Sequence, residues 1–151
     1  MLYIGVDLGT SAVKLLLMDG EGKIHKIVSK EYPLYFPHPG WSEQKPKDWF
    51  AQSMAGIREL VSECDRSQVA GISFGGQMHG LVALDGEDRV IRPAILWNDG
   101  RTGEETDYLN QKIGQDKLSA YTANIAFAGF TAPKLLWMKK HEPENFAKIS
   151  K

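Results

Sequence analysis

The sequence predicts an α/β domain in which a mixed sheet is flanked by helices, and three observations predict it. The first thirty residues hold three runs rich in Leu, Ile and Val separated by two tight turns, the pattern of an antiparallel three-strand meander. From Pro46 the apolar positions change to helical spacing. A further apolar run, 69–74, then returns, and it is expected to join the sheet in parallel with the helix packed on one face. A chain that opens strand, tight turn, strand is not a Rossmann fold, which opens strand, crossover helix, parallel strand.

In order, the strands are 2–8 (LYIGVDL), 12–18 (AVKLLLM) and 23–30 (KIHKIVSK). Gly9-Thr10-Ser11 and Asp19-Gly20-Glu21-Gly22 are the turns, the second supplying the positive φ angles of tight hairpins. Pro33 to Pro46 contains four prolines and must be loop or sheet edge. Trp49, Phe50, Met54, Ile57, Leu60, Val61 and Cys64 place one apolar stripe on a helix over 46–64. Residues 80–84 and 89–92 flank Asp85-Gly86 as a second hairpin, and 94–97 (AILW) is a short strand. Thr102 and Glu105 form a capping box opening a helix that ends near Gly114. A last helix spans 131–141, with Pro133 in its first turn, Lys139, Lys140 and His141 at its negative end, and Pro143 stopping it. There is no repeat and no linker, so 151 residues read as one domain.

The composition, 42% hydrophobic and 25% charged, is that of a folded globular domain. Charges nearly cancel, Lys+Arg 18 against Asp+Glu 19, so neither nucleic acid nor an anionic membrane is an expected partner. Cys64 stands alone on the apolar stripe and reads as a reduced packing residue. Asp7 interrupts the one early apolar stretch, so no signal peptide is expected, and no run is long enough for a membrane span. These features imply a cytoplasmic protein and leave a homodimer open.

Three segments could carry chemistry. Asp7-Leu8-Gly9-Thr10-Ser11 sets a carboxylate at the end of a buried strand, before a turn whose N–H groups and hydroxyls can converge on phosphates while the carboxylate holds Mg²⁺. The same residues also suit a plain hairpin in which Asp7 and Thr10 satisfy their own backbone. There is no G-x-x-x-x-G-K-[ST], which excludes an ordinary P-loop nucleotidase. Gly75-Gly76-Gln77-Met78-His79-Gly80 follows a strand; Gln77 and His79 offer donors and acceptors for sugar hydroxyls, although for an isolated histidine a loop residue satisfied by a protein partner is the favoured reading. Trp97, Asn98, Asp99 and Arg101 are residue types that bind carbohydrate, and a helix start explains part of the pattern.

Ile4 to Ser11 resembles the phosphate loop of the actin-like ATPases, a ribonuclease H-like fold. GQMHG, RPAILWNDGR and GFTAPKLLWMKKHEPE together resemble the FGGY carbohydrate kinases, and within that family the xylulokinase branch. That resemblance implies ATP and Mg²⁺ as cofactors and D-xylulose as substrate, with ribulose or glycerol as alternative acceptors and a non-catalytic binding module as a reading of another class. By position it implies that Asp7 lies near the metal and the transferred phosphoryl group. Gly9, Thr10, Ser11 and, through its charge, Lys14 would meet the phosphates. Met78 and His79, with Gln77, Asp99 and Arg101, would meet the ketose. It also implies that Asp7 and His79 face one concave surface. Family members carry an adenosine-binding second domain and a base aspartate in a Gly-Gly-Asp type motif; neither is found here, so the chain is expected to be the N-terminal part of the first domain and inactive by itself.

Overall fold

Strand β1 (Leu2–Leu8) turns through Gly9–Ser11 into β2 (Ala12–Asp19), and the two pair antiparallel from Leu2↔Asp19 to Leu8↔Val13. β3 (Ile24–Glu31) extends the meander on the far side of β2, beginning one residue later than expected. In this computed structural model, which describes Met1–Lys151, the chain divides into two compact units. The first comprises Met1–Leu34 and Lys47–Gln77, the second Tyr35–Pro46 and Met78–Lys151. The sequence carries no mark of this division because each unit is built from two separated segments.

The period of two along β2 determines the core of the first unit. Val13, Leu15 and Leu17 are buried on one face with Ile4, Val6 and Val28, while Lys14 points to the other. Helix α1 (Pro46–Leu60) lays Trp49, Ile57 and Leu60 on the buried face. Gly56 permits this close approach: a Cβ there would overlap the Leu15 side chain. The helix stops at Leu60, four residues short of the expected end. Ser62 donates from both N–H and hydroxyl to the Glu59 carbonyl, tightening the last turn out of α geometry. Cys64 is free and half-buried against the same core.

β5 (Val69–Gly76) joins β1 in parallel, as expected, giving the order β3-β2-β1-β5. It runs two residues further than the apolar segment, because pairing continues through Asp7↔Gly75 and Leu8↔Gly76. A Cβ at Gly76 would lie 3.0 Å from the Leu8 carbonyl oxygen, so glycine lets the last pair close without crowding. Within this unit α1 covers only one face of the sheet; on the other, Ile27 is 64% exposed.

The second unit departs further from expectation. β4 (Glu43–Gln44) lies in the proline-rich stretch and pairs antiparallel with β6 (Ala94–Ile95). The hairpin around Asp85-Gly86 forms as a short one, with the bridge Leu84↔Val90, Asp85 N–H donating to the Arg89 carbonyl and Ile91 N–H to the Ala83 carbonyl, while the Asp85 carboxylate accepts from Glu87 and Arg89 N–H and Asp88 stands at φ 62°. Leu81 pairs with Ile95 instead of within the hairpin. No capping box forms at the next helix. Thr102 donates its hydroxyl to the Ala128 carbonyl at 2.9 Å, tying two loops together, and Glu105 is buried. α2 (Gly103–Asp107) widens into a π-helical stretch, Tyr108–Gly114, which ends at Gly114 as expected; there φ of 96° breaks the helix before α3 (Gln115–Thr122) begins. α4 (Thr131–His141) has the expected bounds, and Pro143 opens the short α5 (Pro143–Phe146) as a first-turn proline. Leu81, Ala83, Ile95, Trp137 and Met138 form the core. No helix of the chain is long and apolar enough to cross a membrane.

Candidate functional site

Six of the expected residues gather around the β1–β2 turn of the first unit. Asp7 ends β1 with its side chain exposed, directly opposite Lys14 on β2, so a carboxylate and an ammonium share one strand level on the open face. Gly5, Asp7, Lys14, Ser73, Phe74 and Gly75 line a concavity of roughly 450 Å³ on that face. At Gly75 a Cβ would meet nothing, so the missing side chain leaves room beside the carboxylate. The Gly9 N–H is bonded to the Ala12 carbonyl, and Thr10 donates its hydroxyl to Gln77 Oε1 at 3.5 Å. Gln77 N–H in turn donates to the Leu8 carbonyl at 2.8 Å. Gln77 therefore braces the Gly9–Ser11 turn from just beyond β5.

Tyr32 is a residue that the sequence did not single out. It is buried, its hydroxyl donates to the Gly9 carbonyl in a short hydrogen bond, and its N–H donates to Ser11 O at 3.3 Å. Burial, and then the Asp7 charge, push its phenol up to about 12. It stays a neutral donor and fastens the turn from the chain just beyond β3. No run or motif marks it, because its partner is backbone.

Met78 and His79 open the second segment of the second unit. Met78 is 70% exposed, and the His79 ring, also exposed, stacks on Phe130 with centroids 4.2 Å apart and planes 20° apart. His79 adopts φ 62°, the left-handed region that a non-glycine residue enters at a cost of about 1–2 kcal/mol. It borders a mostly apolar cavity of roughly 480 Å³ with Leu118, Ile125, Phe130, Thr131 and Pro133.

Asp99 and Arg101 do not line a surface. Their side chains have no solvent exposure, and they bond to each other, Arg101 Nε to Oδ1 at 2.9 Å and Nη2 to Oδ2 at 2.7 Å. Arg101 also reaches Glu43 at 2.7 Å and lies over the Trp41 ring at 3.7 Å and near Trp137 at 4.9 Å. Asp99 Oδ2 accepts from Ser42 N–H at 2.6 Å, while Arg92 bonds Glu43 and Glu142. This corrects their expected place among the sugar ligands: buried charges need partners, and here the partners are internal. The sequence misled because the same donors and acceptors serve a sugar or a buried ion network equally well.

Residues 2–151 match the N-terminal domain of the FGGY family of carbohydrate kinases. The chain belongs to that family. Its sheet is accordingly the actin-like one expected from Ile4 to Ser11. This FGGY chain is 49% identical over 149 residues to a xylulose kinase of Bacillus subtilis (strain 168), covering 97% of the chain and 30% of that protein. It is 42% identical over 150 residues to a xylulose kinase of Escherichia coli (strain K12), covering 99% of the chain and 31% of the relative. The crystal structure of a xyloylose kinase from Brucella ovis superposes with TM-score 0.94 at 44% identity, over 100% of this chain and 32% of that one. The chain thus spans about 30% of the length of the curated relatives it matches.

Proposed function

We propose that this FGGY chain supplies the phosphate turn and sugar-recognition residues of a kinase that transfers the γ-phosphoryl group of Mg-ATP to the 5-hydroxyl of D-xylulose. The observation that carries the reading is Asp7 at the end of β1, beside the Gly9–Ser11 turn and above a glycine-lined concavity. The donor set fits magnesium. The ion binds nucleotide through one or two carboxylates, with waters and phosphates completing its shell, and Asp7 is one such carboxylate. The bound nucleotide supplies the phosphoryl group, and Mg²⁺ neutralises its charge. The chain's own residues position the reactants: Thr10 and Ser11 bring N–H and hydroxyl groups toward phosphate oxygens, Gly9 holds the turn through its bond to Ala12, and Lys14 adds positive charge. Met78 offers an apolar edge to the ketose, and His79 a donor and an acceptor to its hydroxyls. Xylulose as acceptor is supported by the xylulose kinases that resemble this chain over nearly its full length. Removal of the hydroxyl proton is assigned to a group outside these 151 residues. A cytoplasmic location, with ATP at hand and Cys64 reduced, completes the proposal.

Calorimetric titration tests it, with D-xylulose, D-ribulose and glycerol in parallel. Heat is expected with xylulose and little with glycerol; heat with glycerol and none with xylulose would reassign the acceptor, and silence with every sugar would leave a binding module without sugar contacts. A coupled ADP-release assay is expected to show no useful turnover by the chain alone. Turnover within about tenfold of a full-length xylulose kinase would place the base inside the chain, since a positioned base contributes about 10²–10⁴ in rate.

A further inference from the structure

Lys134 is a side chain that no part of the proposed reaction uses, and it has no solvent exposure. A lysine is almost never sealed in this way unless its charge has partners. Here Nζ donates to the His79 carbonyl at 2.7 Å and to the Gly129 carbonyl at 2.6 Å. Thr131 adds a longer bond, its hydroxyl donating to the same His79 carbonyl at 3.3 Å. The two carbonyls belong to the two sides of one ring stack: His79 is one partner, and Gly129 immediately precedes Phe130, the other. A Cβ at Gly129 would run into the Trp97 carbonyl, so that loop is also held from behind.

We propose that Lys134 is the positioning residue of the sugar site, a buried ammonium that clamps the His79 and Gly129 carbonyls and so fixes the left-handed backbone of His79 and its stack on Phe130. The inference rests on the reading of His79 as a sugar ligand, and adds how that imidazole is aimed. Left-handed backbone at a histidine persists only where its surroundings over-determine it, and the ammonium supplies a charge-assisted bond to the His79 carbonyl at 2.7 Å. Burial lowers the ammonium's pKa to about 8, with Asp99 opposing that shift and Arg101 adding to it; the charged form still dominates at neutral pH. Lys134 touches neither sugar nor phosphate. It acts through His79.

The test uses the 151-residue chain with isotope labels, comparing it with Lys134→Met, which keeps the volume and removes the donors. In the unaltered chain, NMR should show contacts between the His79 and Phe130 rings and ring-current shifts of the imidazole. In Lys134→Met these should collapse toward those of a free histidine while the core signals of Leu81, Ile95 and Trp137 stay in place. D-xylulose affinity should fall about five- to tenfold, the worth of one well-aimed hydrogen bond. A folded Lys134→Met chain with unchanged His79 ring signals overturns the positioning role, whatever happens to xylulose. Collapse of the stack in a chain that never bound xylulose upholds the clamp and sinks the sugar reading instead. Should Lys134→Met fail to fold, the unaltered chain decides: a slowly exchanging Lys134 ammonium resonance coupled to the His79 and Gly129 carbonyl carbons supports the clamp, and a freely exchanging one refutes it.

Discussion

Replacing Arg101 with Met separates an internal role from a sugar-binding one. The guanidinium has no exposure, makes three hydrogen bonds to Asp99 and Glu43, and lies 3.7 Å from the Trp41 ring centroid. Met fills much of the same volume, so the main consequence is electrostatic. Asp99, equally sealed, loses its cation and keeps the Ser42 and Arg101 backbone N–H groups as donors, while Glu43 retains Arg92. Removing one partner from a buried pair costs about 3–5 kcal/mol. Against a typical stability of about 5–15 kcal/mol, that is about a fifth or more of what holds a domain together. With a urea slope near 2 kcal/mol per M, the midpoint should fall by about 2 M. Tryptophan fluorescence reads this directly, because Trp41, Trp97 and Trp137 all lie in the second unit. The double variant Asp99→Asn with Arg101→Met should recover part of the loss, since no unpaired carboxylate is then left buried. An Arg101→Met chain with the wild-type midpoint and weakened xylulose binding would refute the reasoning and return Arg101 to the sugar.

The other predictions follow from single contacts. Lys134 has a folded-state pKa of about 8, below the value near 10.4 of an unfolded lysine. Between those values the unfolded chain holds a proton that the folded chain does not, so stability relative to Lys134→Met should rise by about 1–3 kcal/mol from pH 7 to 10; urea midpoints across that range check it, and a difference that stays flat or falls contradicts the burial argument. Tyr32→Phe removes the hydroxyl that holds the Gly9 carbonyl and should cost about 1–2 kcal/mol in chemical denaturation, with faster amide exchange at Gly9–Ser11. Gly56→Val drives a branched side chain into Leu15, which is buried, and should cost about 2–3 kcal/mol despite the better helix propensity of valine. A thermal midpoint unchanged in Gly56→Val would mean that α1 does not pack as tightly on β2 as described.

What the sequence determined by itself is the first unit and the bounds of α4. Period-two burial in β2, Asp-Gly turn chemistry and a helical stripe after Pro46 are local signals, readable within windows of a few residues, and they placed the meander, α1 and the parallel return of β5. Asp7 and the Gly9–Ser11 turn were legible for the same reason: strand end and turn are contiguous in the chain. Tertiary structure alone decided the rest. Thr102 had the right spacing for a capping box, yet its hydroxyl found the Ala128 carbonyl, a partner 26 residues away. Asp99 and Arg101 had the right chemistry for a sugar, yet Glu43 and two tryptophans from distant segments enclosed them. Lys134 carries no local signal in the sequence, and only packing seals it against two loop carbonyls. A charged or hydroxyl side chain names the bonds it can make, but which partner it meets is set by how distant segments pack, and no local window contains that information.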